Sequence, residues 1–194
     1  MSASPVVYVI GTAAPPIFDW PTLFRLLRER GWKPHPVLSP VAATWCDLDE
    51  LSTAAGVDVR VDLRRPTEPD PWPKADAVLA APLTFNTINK WAGGHNDTLA
   101  LGLLNELMGE GVPIVAAPCV KAVLGSHPAY LRSCRLLSEC GVNAVDQAEV
   151  LVRREQDKVR FLWPKLVDAV DRVVPQQALT ESDDEHARKL DDST

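Results

Sequence analysis

The sequence lacks the features that mark several large classes of protein. None of its apolar runs approaches the roughly 20 residues that a membrane-spanning helix needs. It has no block of basic residues, and its net charge of −6 argues against a nucleic-acid partner. The N-terminus has neither the basic start nor the long apolar stretch of a secretory signal peptide. We therefore expect a cytoplasmic protein that binds neither membranes nor nucleic acids.

Motifs of the common metal and nucleotide sites are also missing. The four cysteines, Cys46, Cys119, Cys134 and Cys140, form no Cys-x-x-Cys pair and show no metal-ligand spacing. We expect them to be buried thiols and expect no metal site. The glycine pattern of dinucleotide sites does not follow the first apolar run, and the Walker pattern is absent. A phosphate-bearing cofactor would have to be held in another way.

What is present fits one globular domain followed by a tail. Hydrophobic residues make up 46% of the 194 residues, which is enough for a sizeable core. We therefore expect residues 1–174 to form a single domain. Residues 175–194 carry six acidic and two basic side chains, and we expect them to be a disordered acidic tail.

Apolar runs alternate with amphipathic helical patterns along the domain. The predicted strands cover residues 6–10, 34–38, 57–61, 75–81, 112–117 and 142–145. The predicted helices cover residues 21–30, 47–55, 97–108, 128–140 and 163–174. This alternation favours a mostly parallel sheet with helices on both faces. The predicted fold class is therefore α/β, with three layers and a Rossmann-like (flavodoxin-like) arrangement.

Small and hydroxyl-bearing residues follow three of the predicted strands. These segments are Gly11–Ala14, Ser39–Thr44 and Pro82–Thr87. Because right-handed crossovers place the carboxyl ends of parallel strands at one edge, the three segments can converge there. Hydroxyls and backbone N–H groups can hold a phosphate without cationic side chains. Ordinary turns are the alternative for each segment alone, whereas the three together favour a phosphate-bearing cofactor.

One segment carries a more specific pattern. In order, it contains Pro82, Thr84, Asn86, Thr87, Lys90, Ala92, Gly94, Asp97 and Leu99. This order and spacing resemble the signature of the homo-oligomeric flavin-containing cysteine decarboxylases. That family includes phosphopantothenoylcysteine decarboxylase and the peptidyl-cysteine decarboxylases of lantibiotic maturation. A weaker resemblance extends from Gly11 to about Gly141.

The resemblance implies a cofactor, a reaction and an assembly. It implies FMN held without a covalent bond, and oxidative decarboxylation of a cysteine-like substrate that is a small molecule or a peptide. It also implies a homotrimer, or a multiple of trimers, with FMN at a subunit boundary. The residues that the resemblance places at the cofactor are Gly11, Thr12, Ser39, Thr84, Phe85, Asn86, Thr87 and Asp97.

Two departures from the family pattern bear on catalysis. The family's catalytic His has no counterpart in residues 67–74, where Glu68 is a candidate base or, alternatively, a solvated loop carboxylate. The family's Pro-Ala-Met-Asn motif reads Pro118-Cys119-Val120-Lys121, so Lys121 replaces an Asn that helps to hold the substrate carboxylate. The alternative function is therefore a flavin-binding or regulatory protein without decarboxylase activity.

Overall fold

A five-stranded sheet, parallel throughout, organises the chain. The computed structural model describes residues 4–65, 67, 69, 72–153 and 159–174. The strands of the sheet are β1 (Val6–Gly11), β2 (Lys33–Leu38), β3 (Ala77–Leu83), β4 (Ile114–Pro118) and β5 (Asn143–Ala144). Their spatial order is β2-β1-β3-β4-β5. This is a doubly wound order. Strands are added on one side of β1 first and then on the other, so the strand order reverses between β1 and β3 while all strands stay parallel.

Helices cover both faces of this sheet. They are α1 (Trp20–Glu29), α2 (Pro40–Ala43), α3 (Leu48–Ala55), α4 (Phe85–Ala92), α5 (Leu99–Gly109), α6 (Ala122–Gly125), α7 (Pro128–Glu139), α8 (Gln147–Val150) and α9 (Trp163–Val173). A 3₁₀ turn, Pro15–Asp19, precedes α1, and an antiparallel hairpin pairs β6 (Leu151–Arg153) with β7 (Val159–Phe161). Within the described residues, none of the helices combines the length and apolar character that crossing a bilayer requires.

The central strands are apolar at every position because both of their faces are buried. In β1, Val7 and Val9 pack into the core beneath α1 and α9. Tyr8 and Ile10 point to the opposite face and pack into the core beneath α4, α5 and α7. Successive side chains of a strand alternate between the faces, so a sheet covered twice needs continuous apolar runs. This arrangement confirms the predicted three-layer α/β fold.

The segment 57–61 does not form the predicted strand. It lies beside β2 but makes a single parallel bridge, at Arg60. There the Leu38 N–H donates to the Arg60 carbonyl at 2.9 Å, and the Arg60 N–H donates to the Pro36 carbonyl at 3.0 Å. Pro34 and Pro36 occupy this outer edge of β2 and have no N–H to donate. Pairing therefore stops after one bridge, although the apolar alternation of the segment suits a strand.

Candidate functional site

The junction of β3 and α4 forms the floor of the site. The Thr84 hydroxyl oxygen accepts from the Thr87 N–H at 3.3 Å and lies 2.9 Å from the Thr87 hydroxyl oxygen. Thr84 is thus the N-cap of α4, and Ile88 and Trp91 bury the inner face of this helix. The segment carries the predicted signature, but its helix was not predicted from the sequence. A capping Thr followed by Ile88 and Trp91 three residues apart was the available signal.

Thr12 fixes the end of β1 to the end of β3. Its side chain is 2% exposed, and its hydroxyl donates to the Pro82 carbonyl at 3.0 Å. The same oxygen accepts from the Thr84 N–H at 2.9 Å. Because its single hydroxyl proton is already committed, Thr12 contributes surface to the site rather than a hydrogen bond to a ligand.

Gly11 makes room for a neighbouring side chain. A Cβ on this residue would lie 2.3 Å from the Trp20 ring and 2.5 Å from Ile17. The Trp20 indole N–H donates to the Ala81 carbonyl at 3.0 Å, which ties α1 to β3. Gly11 does not occur among the described residues that line the two cavities below. The structure gives it a packing role directly behind the site.

A cavity of about 440 Å³, called here the polar cavity, opens at the carboxyl ends of β1, β2 and β3. It is lined by Thr12, Ala13, Ser39, Pro40, Val41, Thr84, Asn86, Thr87, Lys90, Thr98, Ala100 and Leu101. Ser39 and Asn86, which are far apart in sequence, therefore face one space. The residues from the start of α5 (Thr98, Ala100 and Leu101) were not anticipated from the sequence, because a helix start gives no sign of which cavity it will face.

The polar cavity presents neutral hydrogen-bond donors. The Ser39 hydroxyl oxygen accepts from the Ala42 N–H at 3.3 Å, and the Thr98 hydroxyl oxygen accepts from the Leu101 N–H at 3.3 Å. Neither hydroxyl proton has an acceptor among the described residues, so both protons are available to a ligand. The amide of Asn86 is exposed and likewise has no hydrogen-bond partner in the described part of the chain. These groups suit the oxygen atoms of a phosphate or a polar ring.

Asp97 contacts a residue of the polar cavity without lining the cavity itself. Asp97 is exposed and does not line the cavity; its carboxylate forms an ion pair with the ammonium group of Lys90. The hydrogen bond from Lys90 holds the pKa of Asp97 below its ordinary value. Lys90 itself lines the cavity. The predicted cofactor residue Asp97 is therefore placed one side chain away from the cavity.

A second cavity of about 840 Å³, called here the large cavity, adjoins the first. The two share Ala13, Thr84 and Asn86. The large cavity is further lined by Pro15, Phe85, Cys119, Val120, Lys121, Gln147 and the hairpin residues Leu151, Arg153 and Val159, with Ala14, Ala122, Leu124 and Ala148. Phe85 and Lys121 thus face the large cavity. Glu68, the candidate base, lies outside the described residues.

A side-chain amide holds the loop that carries Lys121. The Gln147 carbonyl oxygen accepts from the Val120 N–H at 2.7 Å, and its amide donates to the Val120 carbonyl at 3.0 Å. This contact was not predicted from the sequence, because 27 residues separate the partners and no motif links them. Burial raises the pKa of the neighbouring Cys119 thiol to about 11, against a smaller opposing effect of Arg153. Cys119 is therefore a neutral thiol at physiological pH and a poor nucleophile.

Comparison with known proteins agrees with this fold. The family model described as Flavoprotein matches residues 2–175. A PPC decarboxylase mutant complexed with pantothenoylaminoethenethiol has a TM-score of 0.70 at 19% identity, covering 87% of this chain and 97% of that chain. The FMN binding protein AtHal3 has a TM-score of 0.69 at 19% identity, with coverages of 87% and 95%. The cypemycin decarboxylase CypD has a TM-score of 0.68 at 21% identity, with coverages of 87% and 92%.

At such low identities these likenesses establish the fold. No protein with curated annotation matches the chain in sequence. The family match nevertheless spans nearly the whole described chain, including the signature at 82–99. Together with the neighbouring structures, it confirms the resemblance to the flavin-containing cysteine decarboxylases. The chain belongs to the Flavoprotein family.

Proposed function

We propose that the protein binds FMN in the polar cavity and acts on a cysteine-like substrate in the large cavity. The observation that carries the proposal is that Ser39, Thr84, Asn86 and Thr87 line one cavity at the carboxyl edge of the sheet. The cavity also lies beside the β1–β3 reversal, where doubly wound sheets bind their ligands. AtHal3 is described as an FMN binding protein, and PPC decarboxylase and CypD are decarboxylases.

The residues of the polar cavity fit a flavin mononucleotide. The available hydroxyl protons of Ser39 and Thr98 can donate to phosphate oxygens, and small residues such as Ala13 allow a close approach to the backbone. Asn86 lines both cavities and offers an unpartnered amide to a ring that reaches the boundary between them. When bound, FMN would supply the two-electron acceptor for thiol oxidation, while the protein orients the substrate and excludes water.

Lys121 is the group most suited to a substrate carboxylate. It lines the large cavity on a loop that Gln147 fixes, and its ammonium group can pair with an anion. Glu68 stays a proposed catalytic base, since the family's His is missing from this chain. If Glu68 has this role, Glu68→Gln stops turnover and leaves FMN binding unchanged. Loss of bound FMN in this variant would argue against a purely catalytic role.

A second function is favoured by the same lysine. Release of CO₂ removes the negative charge of a carboxylate, so a cation that pairs with it stabilises the bound substrate more than the transition state. Lys121 in place of Asn therefore suits a protein that binds a thiol carboxylate and retains it. Such a protein would be a flavin-binding or regulatory subunit without decarboxylase activity.

We also propose that the protein is a cytoplasmic homotrimer with its cofactor near a subunit boundary. Phe18 and Trp45 stack with ring centroids 6.1 Å apart and are both exposed. Val41, which lines the polar cavity, is 59% exposed. Exposed apolar groups such as these are typical of contact surfaces. The four cysteines are free thiols, which suits a reducing compartment.

The test begins with the protein as purified. A visible flavin spectrum, or a rise in the unfolding temperature on adding FMN, is the expected result because a ligand stabilises the state that it binds. Incubation with a peptide ending in cysteine, followed by mass spectrometry, then separates the two functions. Loss of CO₂ supports the enzyme, whereas an unchanged peptide that still binds supports the binding protein. A colourless protein that FMN does not stabilise would overturn the proposal.

Light scattering after gel filtration measures the assembly. A trimer or a multiple of trimers is expected, and a monomer would contradict the proposed boundary site. Trp45→Ser is expected to weaken the assembly. Leu136→Ser on α7 is the control variant, because Leu136 is an equally exposed apolar residue that does not belong to the stacked pair.

A further inference from the structure

The polar cavity contains one charged side chain among the described residues that line it. That side chain is Lys90; the others are hydroxyl, amide, proline or aliphatic. The chain as a whole has a net charge of −6, so its field does not favour an anionic ligand. A phosphomonoester carries close to two negative charges at neutral pH. The charge of Lys90 is therefore expected to contribute strongly to the affinity of this cavity for a phosphomonoester.

Lys90 is held in a defined position. It belongs to the last turn of α4, and its ammonium group pairs with Asp97, which lies two residues before α5. The side chain of Lys90 is 34% exposed, so it is partly withdrawn from water. An ammonium group has three protons, and one hydrogen bond to Asp97 leaves two for a ligand.

The start of α5 faces the same space. Thr98 is the N-cap of this 11-residue helix, and Ala100 and Leu101 line the polar cavity beside it. The first backbone N–H groups of a helix have no partner within the helix and carry a partial positive charge. The hydroxyl proton of Thr98 is also available, because its oxygen only accepts from Leu101. Lys90 and the start of α5 thus both present positive groups to the polar cavity.

We infer that Lys90, together with Thr98 and the first turn of α5, binds the phosphate of FMN. The inference rests on the proposed function and adds to it a role for the signature residue Lys90, together with the start of α5, which the sequence did not place at the cavity. Asp97 acts as a positioning residue, which holds the ammonium group at the cavity wall. Without Lys90, the phosphate would meet the Asp97 carboxylate with no intervening cation.

Comparing FMN with riboflavin tests this assignment, because riboflavin has the same ring and no phosphate. Both affinities are measured by fluorescence quenching of the free flavin at several salt concentrations. Lys90→Met is expected to lower the affinity for FMN about 10- to 100-fold, which is the range for the loss of a hydrogen bond to a charged group. The affinity for riboflavin is expected to change by less than about twofold. The salt dependence of FMN binding is expected to fall in this variant, because an ionic contact has been removed.

Three further variants make the result specific. Lys90→Arg keeps the charge and is expected to recover most of the FMN affinity. The double variant Lys90→Met with Asp97→Asn is expected to bind FMN more tightly than Lys90→Met alone, since the uncompensated carboxylate is gone. Lys33→Met, at the opposite end of the sheet, removes the same charge and is expected to leave FMN affinity unchanged.

The outcomes separate this inference from the proposed function. Equal losses for FMN and riboflavin in Lys90→Met, or no loss for either, would overturn the phosphate assignment while flavin binding stands. Binding of neither flavin by the unaltered protein would overturn the proposed function, and this inference with it. A folded state for each variant is verified by circular dichroism and by its unfolding temperature.

Discussion

The polar cavity and the large cavity are neighbours, yet they are built from different parts of the sequence. Most residues of the polar cavity follow β1, β2 and β3, and several belong to the signature at 82–99. The large cavity adds the loop 118–121 and the hairpin of β6 and β7. The cavity that matches the family signature is thus the one in which we propose the cofactor. The cavity where the chain departs from the family is the one in which we propose the substrate.

This difference teaches that binding and turnover can be separated in this chain. The hydroxyl groups and helix starts of the polar cavity are fixed by internal hydrogen bonds. The large cavity instead exposes Lys121, whose charge has no counterpart in the family motif. Cofactor affinity should therefore respond to changes in the first cavity, and the fate of a substrate should respond to changes in the second.

The largest effect is expected from a change in the packing directly behind the site. Gly11→Ala places a Cβ 2.3 Å from the Trp20 ring, so α1 must shift away from the sheet. We expect a loss of about 1–3 kcal/mol in the free energy of unfolding and a loss of bound flavin. Urea denaturation measures the stability. Gly102→Ala is the matched control: its Cβ would meet nothing within 4 Å, and it should leave stability unchanged or slightly raised. Equal stability of the two variants would contradict the packing role of Gly11.

The second effect concerns the wall that the cavities share. Asn86→Ala removes an amide that faces both spaces, and FMN should bind about 5- to 150-fold more weakly, equivalent to ~1–3 kcal/mol. Equilibrium dialysis measures the affinity, with the exposed Asn143→Ala of β5 as the control. An Asn86→Ala protein that keeps its flavin would show that the two cavities do not meet at the cofactor.

The third effect should be confined to the large cavity. Lys121→Asn restores the residue type of the family motif, and we expect FMN affinity to change by less than about twofold. If the protein is a decarboxylase, the rate of CO₂ release from a peptide ending in cysteine should rise about tenfold. This rise corresponds to the loss of ~1.4 kcal/mol by which Lys121 stabilises the carboxylate of the bound substrate. Mass spectrometry follows the reaction. A fall in turnover would instead make Lys121 part of the catalytic machinery.

The smallest effect lies away from both cavities. His35 is 5% exposed, and burial lowers its pKa below the ordinary value, with a smaller contribution from the charge of Lys33. Because the folded state disfavours the protonated ring, the stability it contributes is present above about pH 6.5 and is lost as the pH falls through the lowered pKa. The unfolding temperature should therefore drop on acidification from pH 7 to pH 5. His35→Gln should flatten this slope, and an unchanged slope would exclude His35 as its source.

Most of the fold could be predicted from the sequence, because the local residue patterns of the strands and long helices agree with how these elements are buried. Continuous apolar runs gave the strands of the sheet, and capping residues with helical spacing gave the long helices. The segment 57–61 is the exception: its alternation fits a strand, but the neighbouring strand β2 lacks the N–H donors to pair with it. That information lies in Pro34 and Pro36, more than 20 residues earlier, and becomes visible only once the strands are side by side.

The candidate site was predictable in outline and not in detail. Residues following the strands were placed correctly at one edge, since the topology brings them together. The commitment of the Thr12 hydroxyl to Pro82 depends on atoms 70 residues apart. The contribution of Lys90 likewise depends on how α4 and α5 meet. Such contacts follow from tertiary packing, which residue types and spacing do not specify.

The prolines of β2 also bear on how copies of this chain can associate. An exposed sheet edge normally invites a strand from another molecule, through its unpaired backbone groups. Here the rim of β2 offers acceptors but few donors, and its Leu38 N–H is already engaged by Arg60. Continuous sheets running from one subunit into the next are therefore disfavoured on this side. Contacts between copies at this edge would have to use side chains rather than strand pairing, so the β2 edge is a poor template for strand-by-strand aggregation.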